Sequence, residues 1–121
     1  MRSNHEKTIL VVDDNKHMAT CLAEMIDILG VKCDVAFDGE QAMRMLDQKH
    51  YSLVIADSNM PNISGFSIMK HIKNNIPDTM VAIISTRDSE ITQGIAIRGK
   101  ADFYLAKPFK TEDIEDLLSR I

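Results

Sequence analysis

Three aspartates, a serine and a lysine each stand at or directly after the end of an apolar run in this chain. Asp13 and Asp14 follow "TILVV" (8–12), Asp57 closes "YSLVIAD" (51–57), Ser85 closes "MVAIIS" (80–85) and Lys107 follows "DFYLA" (102–106). Gathered in one place, the carboxylates would repel, and without a cation at least one would have a raised pKa. Magnesium relieves that repulsion, because it takes hard oxygen ligands and is commonly held by one or two carboxylates together with a phosphate. A lysine supplies a point charge and a serine a hydrogen bond for the remaining phosphoryl oxygens. An aspartate can itself be the nucleophile and form an aspartyl phosphate. The five residue types together therefore suit binding or transfer of one phosphoryl group. Singly, each has an ordinary explanation, since Asp is common in turns and strand-end serines bond to main chain.

The elements decide whether these residues meet. "TILVV" is a short β-branched run of the kind buried on both faces of a sheet. Asn15 can then cap a helix whose Met18, Leu22, Met25, Ile26 and Leu29 recur at helical spacing, with Gly30 as its stop. "KCDVAF" (32–37) reads as a second strand, and Asp38 opens a helix that carries Ala42, Met45 and Leu46 inward. After the third strand, Ser64 can cap a helix with Phe66, Met69, Ile72 and Ile76 on one side, closed by Pro77. A weaker helix runs from about Ser89 to Gly99, with Gly94 inside it at a cost of about 1 kcal/mol relative to Ala. Following the fifth strand, Thr111 with Glu112 and Asp113 gives the last helix a capped, acidic start, with Ile114, Leu117, Leu118 and Ile121 inward. The methionines at 18, 25, 43, 45 and 69 read as core or helix surface.

Five regular strand–helix units predict one α/β domain over 1–121, a doubly wound five-stranded parallel sheet with helices on both faces. Parallel strands all point one way, so Asp13, Asp14, Asp57, Ser85 and Lys107 fall at one edge. That edge is where open α/β sheets bind ligands. Spacing alone leaves the strand order open.

Composition narrows the function further. A formal charge of −4 on 121 residues argues against a nucleic-acid-binding surface, which is usually basic. The apolar run Ile9–Val12 is too short for a signal peptide or a membrane span. Cys21 and Cys33 have no metal-type or CxxC spacing, which suits free thiols in a reducing cytoplasm. No GxxxxGK[ST] loop is present to cradle a nucleotide.

The set "VVDD" (11–14), "DSNMPNISG" (57–65), "AIIST" (82–86) and "YLAKPF" (104–109) resembles the receiver domain of two-component response regulators, in the right order over nearly the whole chain. The resemblance implies a flavodoxin-like fold with strand order 2-1-3-4-5. It implies that Asp57 accepts a phosphoryl group from a histidine kinase or phosphotransfer protein, and that Asp13, Asp14, Asp57 and the main-chain carbonyl of Asn59 hold Mg²⁺. Ser85 and Lys107 would contact phosphate oxygens, the peptide bond before Pro108 would be cis, and Tyr104 would be the aromatic switch. The face formed by the fourth helix, fifth strand and fifth helix would then control an effector or output domain, or a phosphorylation-dependent dimer. The module would catalyse only its own phosphorylation and dephosphorylation.

Three positions depart from that pattern. Thr86 stands where Ala or Gly is usual and is expected to narrow access to Asp57. Ser58 stands where an apolar residue is common. "RGKAD" puts Gly99 one place early and Lys100 at the usual Gly position, so the loop after the fourth helix is expected to be reshaped. Two other α/β classes fit less well. A haloacid-dehalogenase-type phosphatase needs D-x-D after the first strand, which "VVDDN" does not supply. A flavin-binding module needs a phosphate loop there, and "DDNKHMA" is too acidic.

Overall fold

The computed structural model describes residues 7–85 and 90–121. Strand β1 (Thr8–Val12) leads into α1 (Lys16–Ile28), β2 (Lys32–Ala36) into α2 (Gly39–Gln48) and β3 (Leu53–Asp57) into α3 (Gly65–Asn75). Then follow β4 (Met80–Ser85), α4 (Glu90–Arg98), β5 (Phe103–Ala106) and α5 (Thr111–Ser119). All four strand pairings are parallel, and the sheet order is β2-β1-β3-β4-β5. The order reverses between β1 and β3, which places the switch point beside Asp13 and Asp57.

Strand alternation builds two cores, one on each face of the sheet. Ile9 and Val11, Leu53 and Ile55, and Ala82 and Ile84 point to the α1/α5 side, where they meet Leu22, Ile26, Ile114 and Leu117. Leu10 and Val12, Val54 and Ala56, and Val81 and Ile83 point to the other side, among Ala42, Leu46, Ile68, Ile72 and Ala96. The isoleucines among these are at most 2% exposed, and each contributes about 1.5–3 kcal/mol through burial. That rigid double layer holds the strand ends in place.

The local signals act largely as expected. The side chains of Asn15, Asp38 and Ser64 accept hydrogen bonds from the amides of Met18, Gln41 and Ser67, each three residues on. The second strand stops at Ala36, and the Phe37 amide, just before the Asp38 cap, donates to Gln41 Oε1 of the following helix at 2.9 Å. The third strand begins at Leu53, and Tyr51 lies before it.

Two expectations are corrected. The last helix is capped at Lys110 instead of Thr111, and the Asp113 carboxylate accepts the Lys110 amide at 2.8 Å. The loop after α4 is not reshaped: Lys100 adopts the left-handed conformation, φ 68°, that a glycine favours there. The Gly99, Lys100 and Ala101 amides close the helix onto the carbonyls of Ile95, Ile97 and Ala96. The expected helix start near Ser89 lies outside the described residues.

Candidate functional site

Register explains why the five residues converge. Val12 pairs with Ala56, so Asp13 and Asp57 are the next residues on adjacent central strands. Asp57 pairs with Ile84, one place before Ser85, and Ser85 pairs with Ala106, one place before Lys107. The Lys107 amide donates to the Ser85 carbonyl at 2.6 Å, which ties the two strand ends together. The Ser58 amide donates to the Ile84 carbonyl at 2.8 Å, which holds the chain just after Asp57 against β4. The Lys107–Pro108 peptide bond is cis.

The side chains form a tight charged group. Asp13, Asp57 and Ser85 are each about 5–6% exposed. Lys107 Nζ lies 2.9 Å from Asp13 Oδ2 and 3.4 Å from Asp57 Oδ1. Asp13 engages both oxygens, since its Oδ1 accepts the Asn15 amide at 3.0 Å. Asp57 receives the longer contact from the lysine, at its Oδ1. Burial pushes the Asp57 carboxyl above the ordinary carboxylate range; Lys107 opposes the shift, and Asp13 and Asp14 reinforce it. Burial alone would lower the Lys107 ammonium, but the Asp13 hydrogen bond and the fields of Asp57 and Asp13 outweigh it and hold the pKa above the usual lysine value. Carboxylate oxygens of Asp13, Asp14 and Asp57 all lie within 4.8 Å of one another, with Asp14 exposed to solvent. Such a set of hard oxygen donors, one of them open to water, fits a divalent cation of the magnesium or calcium kind.

Alternation also sorts the site into two faces. Asp13, Asp57 and Lys107 continue the rows that point to the α1/α5 core. Ser85 continues the Val81–Ile83 row on the opposite side, where Tyr104 packs half-buried against the core that includes Ala96 of α4. Ile83 pairs with Tyr104, so Ser85 and Tyr104 are diagonal neighbours on that face. The exposed Asn59 lies two residues beyond Asp57. Thr86, expected to control access, lies outside the described residues.

Two contributors were not assigned a role from sequence. A Cβ on Gly65 would lie 2.2 Å from the Asp57 carbonyl oxygen, so only glycine lets α3 start this close to the end of β3. Met60 is 7% exposed and anchors the intervening loop in the core. The D-x-x-M-P-x-x-x-G spacing carried both signals.

Comparison with known proteins agrees with this geometry. A family model described as "Response regulator receiver domain" matches residues 9–119. The chain is 34% identical over 106 residues to the transcriptional regulatory protein CpxR of Klebsiella pneumoniae, covering 88% of this chain and 45% of that protein. It is 28% identical to the response regulator MprA of Mycobacterium bovis, over 93% of this chain and 48% of that one. It thus spans about half the length of these relatives. Among solved structures, it superposes on a Burkholderia pseudomallei response regulator with a TM-score of 0.82 and 29% identity, over 89% of this chain and 64% of that chain. That structure contains a phosphorylated aspartic acid, a calcium ion and citrate. The receiver domain of Francisella response regulator 1452 gives a TM-score of 0.87 at 28% identity, over 94% of both chains. The chain belongs to the response regulator receiver domain family, the phosphoacceptor modules of two-component, phosphorylation-dependent signalling. Among the described residues, no helix is long and apolar enough to cross a membrane.

Proposed function

We propose that Asp57 is the phosphoryl acceptor, with Mg²⁺ held by Asp13, Asp14, Asp57 and the Asn59 carbonyl. The observation that carries this reading is the contrast between the two buried carboxylates. Asp13 is held at both oxygens, whereas Asp57 is desolvated, repelled by its neighbours and only loosely paired. The cation would neutralise the acidic cluster and charge on the incoming phosphoryl group. The protein's own residues do the rest. Asp57 attacks phosphorus, the donor's leaving atom (the imidazole nitrogen of a phosphohistidine, or the carboxylate oxygen of a small acyl phosphate) departs with the electron pair of the broken bond, and the new acyl phosphate carries about −1.5 to −2 charges. Lys107, already between Asp13 and Asp57, turns its ammonium to a phosphoryl oxygen. Domain boundaries at 1–121, a cytoplasmic setting and self-catalysed loss of the phosphoryl group belong to the same proposal.

Ser85 and Tyr104 would carry the signal. A hydrogen bond from Ser85 to a charged phosphoryl oxygen contributes about 1.5–3 kcal/mol, a population shift of roughly 10- to 150-fold. Because Ser85 and Tyr104 share the sheet face that α4 covers, a move of the serine toward the phosphoryl group frees space beside the tyrosine ring. The α4–β5–α5 surface then changes toward an effector, output domain or second copy. The donor is a histidine kinase or phosphotransfer protein, and a small acyl phosphate can replace it in vitro. Incubation with acetyl phosphate and Mg²⁺ should add the mass of one phosphoryl group, and EDTA should prevent it. No gain in mass, or steady hydrolysis of added phosphate monoesters, would count against a receiver.

A further inference from the structure

A groove of about 560 Å³ runs between α3 and α4, apart from the acidic edge. Its floor is apolar: Phe66 and Met69 come from α3, and Ile95, 37% exposed, from α4. Its banks are basic, with Lys70 and Lys73 on one side and Arg98 and Lys100 on the other. Residues 66, 69, 70 and 73 recur at helical spacing, so the stripe belongs to one face of α3.

Three observations set this groove apart from ordinary surface. The chain carries 18 acidic and 14 basic residues, yet the described lining holds four basic residues and no acidic one. Among the described residues, Asp102 pairs with Lys73 alone, at 2.7 Å, while its Oδ2 also accepts the Val81 amide at 2.8 Å. Lys100 is kept in a left-handed conformation that favours glycine, so a lysine charge stands on the rim despite the backbone cost.

We infer that the α3–α4 groove docks an acidic amphipathic segment of a partner protein. The segment's apolar side chains lie on Phe66 and Ile95, above the buried Met69, and its carboxylates face the cations of both banks. The arrangement favours a peptide over a compact anion, because the cations are divided by the apolar floor instead of converging on one point. It matches the helix-in-groove mode, in which apolar anchors give affinity and flanking charges give selectivity. Docking needs no phosphoryl group, so it stands or falls independently of the acceptor chemistry.

Fluorescence anisotropy of the full, unphosphorylated chain tests it with a short labelled peptide carrying leucines at helical spacing and glutamates between them. A counterpart with glutamines in place of the glutamates is the control. The glutamate peptide should bind at least about tenfold more tightly at physiological salt, as several screened pairs of about 0.2–1 kcal/mol each require. Lys70→Glu combined with Arg98→Glu should weaken it by about tenfold or more, whereas Lys32→Glu on the far edge strand should change it less than about twofold. Lys100→Gly suits the existing backbone, keeps the fold and should weaken binding by about threefold through loss of one charge. Equal affinity for the two peptides, binding of neither, or an unchanged affinity in both groove variants would overturn the proposal. Displacement of the peptide by a lower concentration of single-stranded oligonucleotide would overturn it in favour of nucleic acid.

Discussion

Two aspartates on neighbouring parts of one sheet behave in opposite ways. Asp34, in β2, has its Oδ2 bonded by the Tyr51 hydroxyl at 2.7 Å and by Lys49 Nζ at 3.0 Å. These partners, the Tyr51 hydrogen bond foremost, hold its carboxyl below the ordinary range. Burial foremost, and then the same contact, push the Tyr51 phenol in the opposite sense, above its ordinary range. Asp57 has more carboxylates than cations around it and is pushed up by burial. The difference separates a charge placed for stability from a charge placed for reaction. Asp34 is satisfied, whereas Asp57 is destabilised in the resting molecule and gains from a cation and a phosphoryl group.

The strongest way to break the comparison is to disturb the backbone that presents Asp57. Gly65→Ala puts a methyl 2.2 Å from the Asp57 carbonyl oxygen, and either β3 or α3 must shift. A loss of about 3 kcal/mol is expected in urea unfolding, with phosphorylation by acetyl phosphate slowed as well. Stability within about 0.5 kcal/mol of the parent would show that the close approach is not tight.

On the other side of the comparison, Tyr51→Phe removes the main partner of Asp34. Tyr51 is 1% exposed, so its ring stays packed and only the hydroxyl is lost. The expected cost is about 1–2 kcal/mol, with phosphorylation unchanged. A large effect on phosphorylation would mean that the two regions are coupled.

The pH dependence sharpens the contrast with smaller effects. A carboxyl raised on folding contributes stability that is complete below its unfolded pKa near 3.9 and lost as pH rises through the folded value. Asp57→Asn, in EDTA, is therefore expected to be more stable than the parent at neutral pH, an advantage that fades toward pH ~3. Asp34 has the opposite sign: its contribution is present above pH ~3.9 and lost as pH falls through its lowered value. Asp34→Asn should thus cost stability at neutral pH and little in strong acid, by an amount that solvent screening keeps small. Thermal melts across pH distinguish the two profiles; profiles of the same sign would end the comparison.

Much of this was legible in the sequence because it depends on local order. The apolar runs announced the strands, and Asn15, Asp38 and Ser64 announced three helix starts. Asp13, Asp57, Ser85 and Lys107 were visible because parallel strands bring their C-terminal ends to one edge. Composition and spacing did not yield the strand order, which came only through the resemblance to receiver domains. Contacts between distant segments were also hidden. The Tyr51–Asp34 bond spans 17 residues, and Tyr51 reads from sequence as an ordinary first residue of β3. Gly65 was part of a pattern without a cause until the Asp57 carbonyl was seen beneath it. Lys110 displaced Thr111 as the cap because Asp113 reaches the Lys110 amide, one place earlier than the hydroxyl suggested.

The central claim is that one carboxylate among three takes the phosphoryl group. Borohydride reduction after acetyl phosphate treatment converts a phosphorylated aspartate to homoserine, and peptide mass spectrometry then locates it. Modification is expected at position 57 alone, requires Mg²⁺ and disappears in Asp57→Asn. Modification at Asp13 or Asp14, or undiminished labelling of Asp57→Asn, would contradict the assignment.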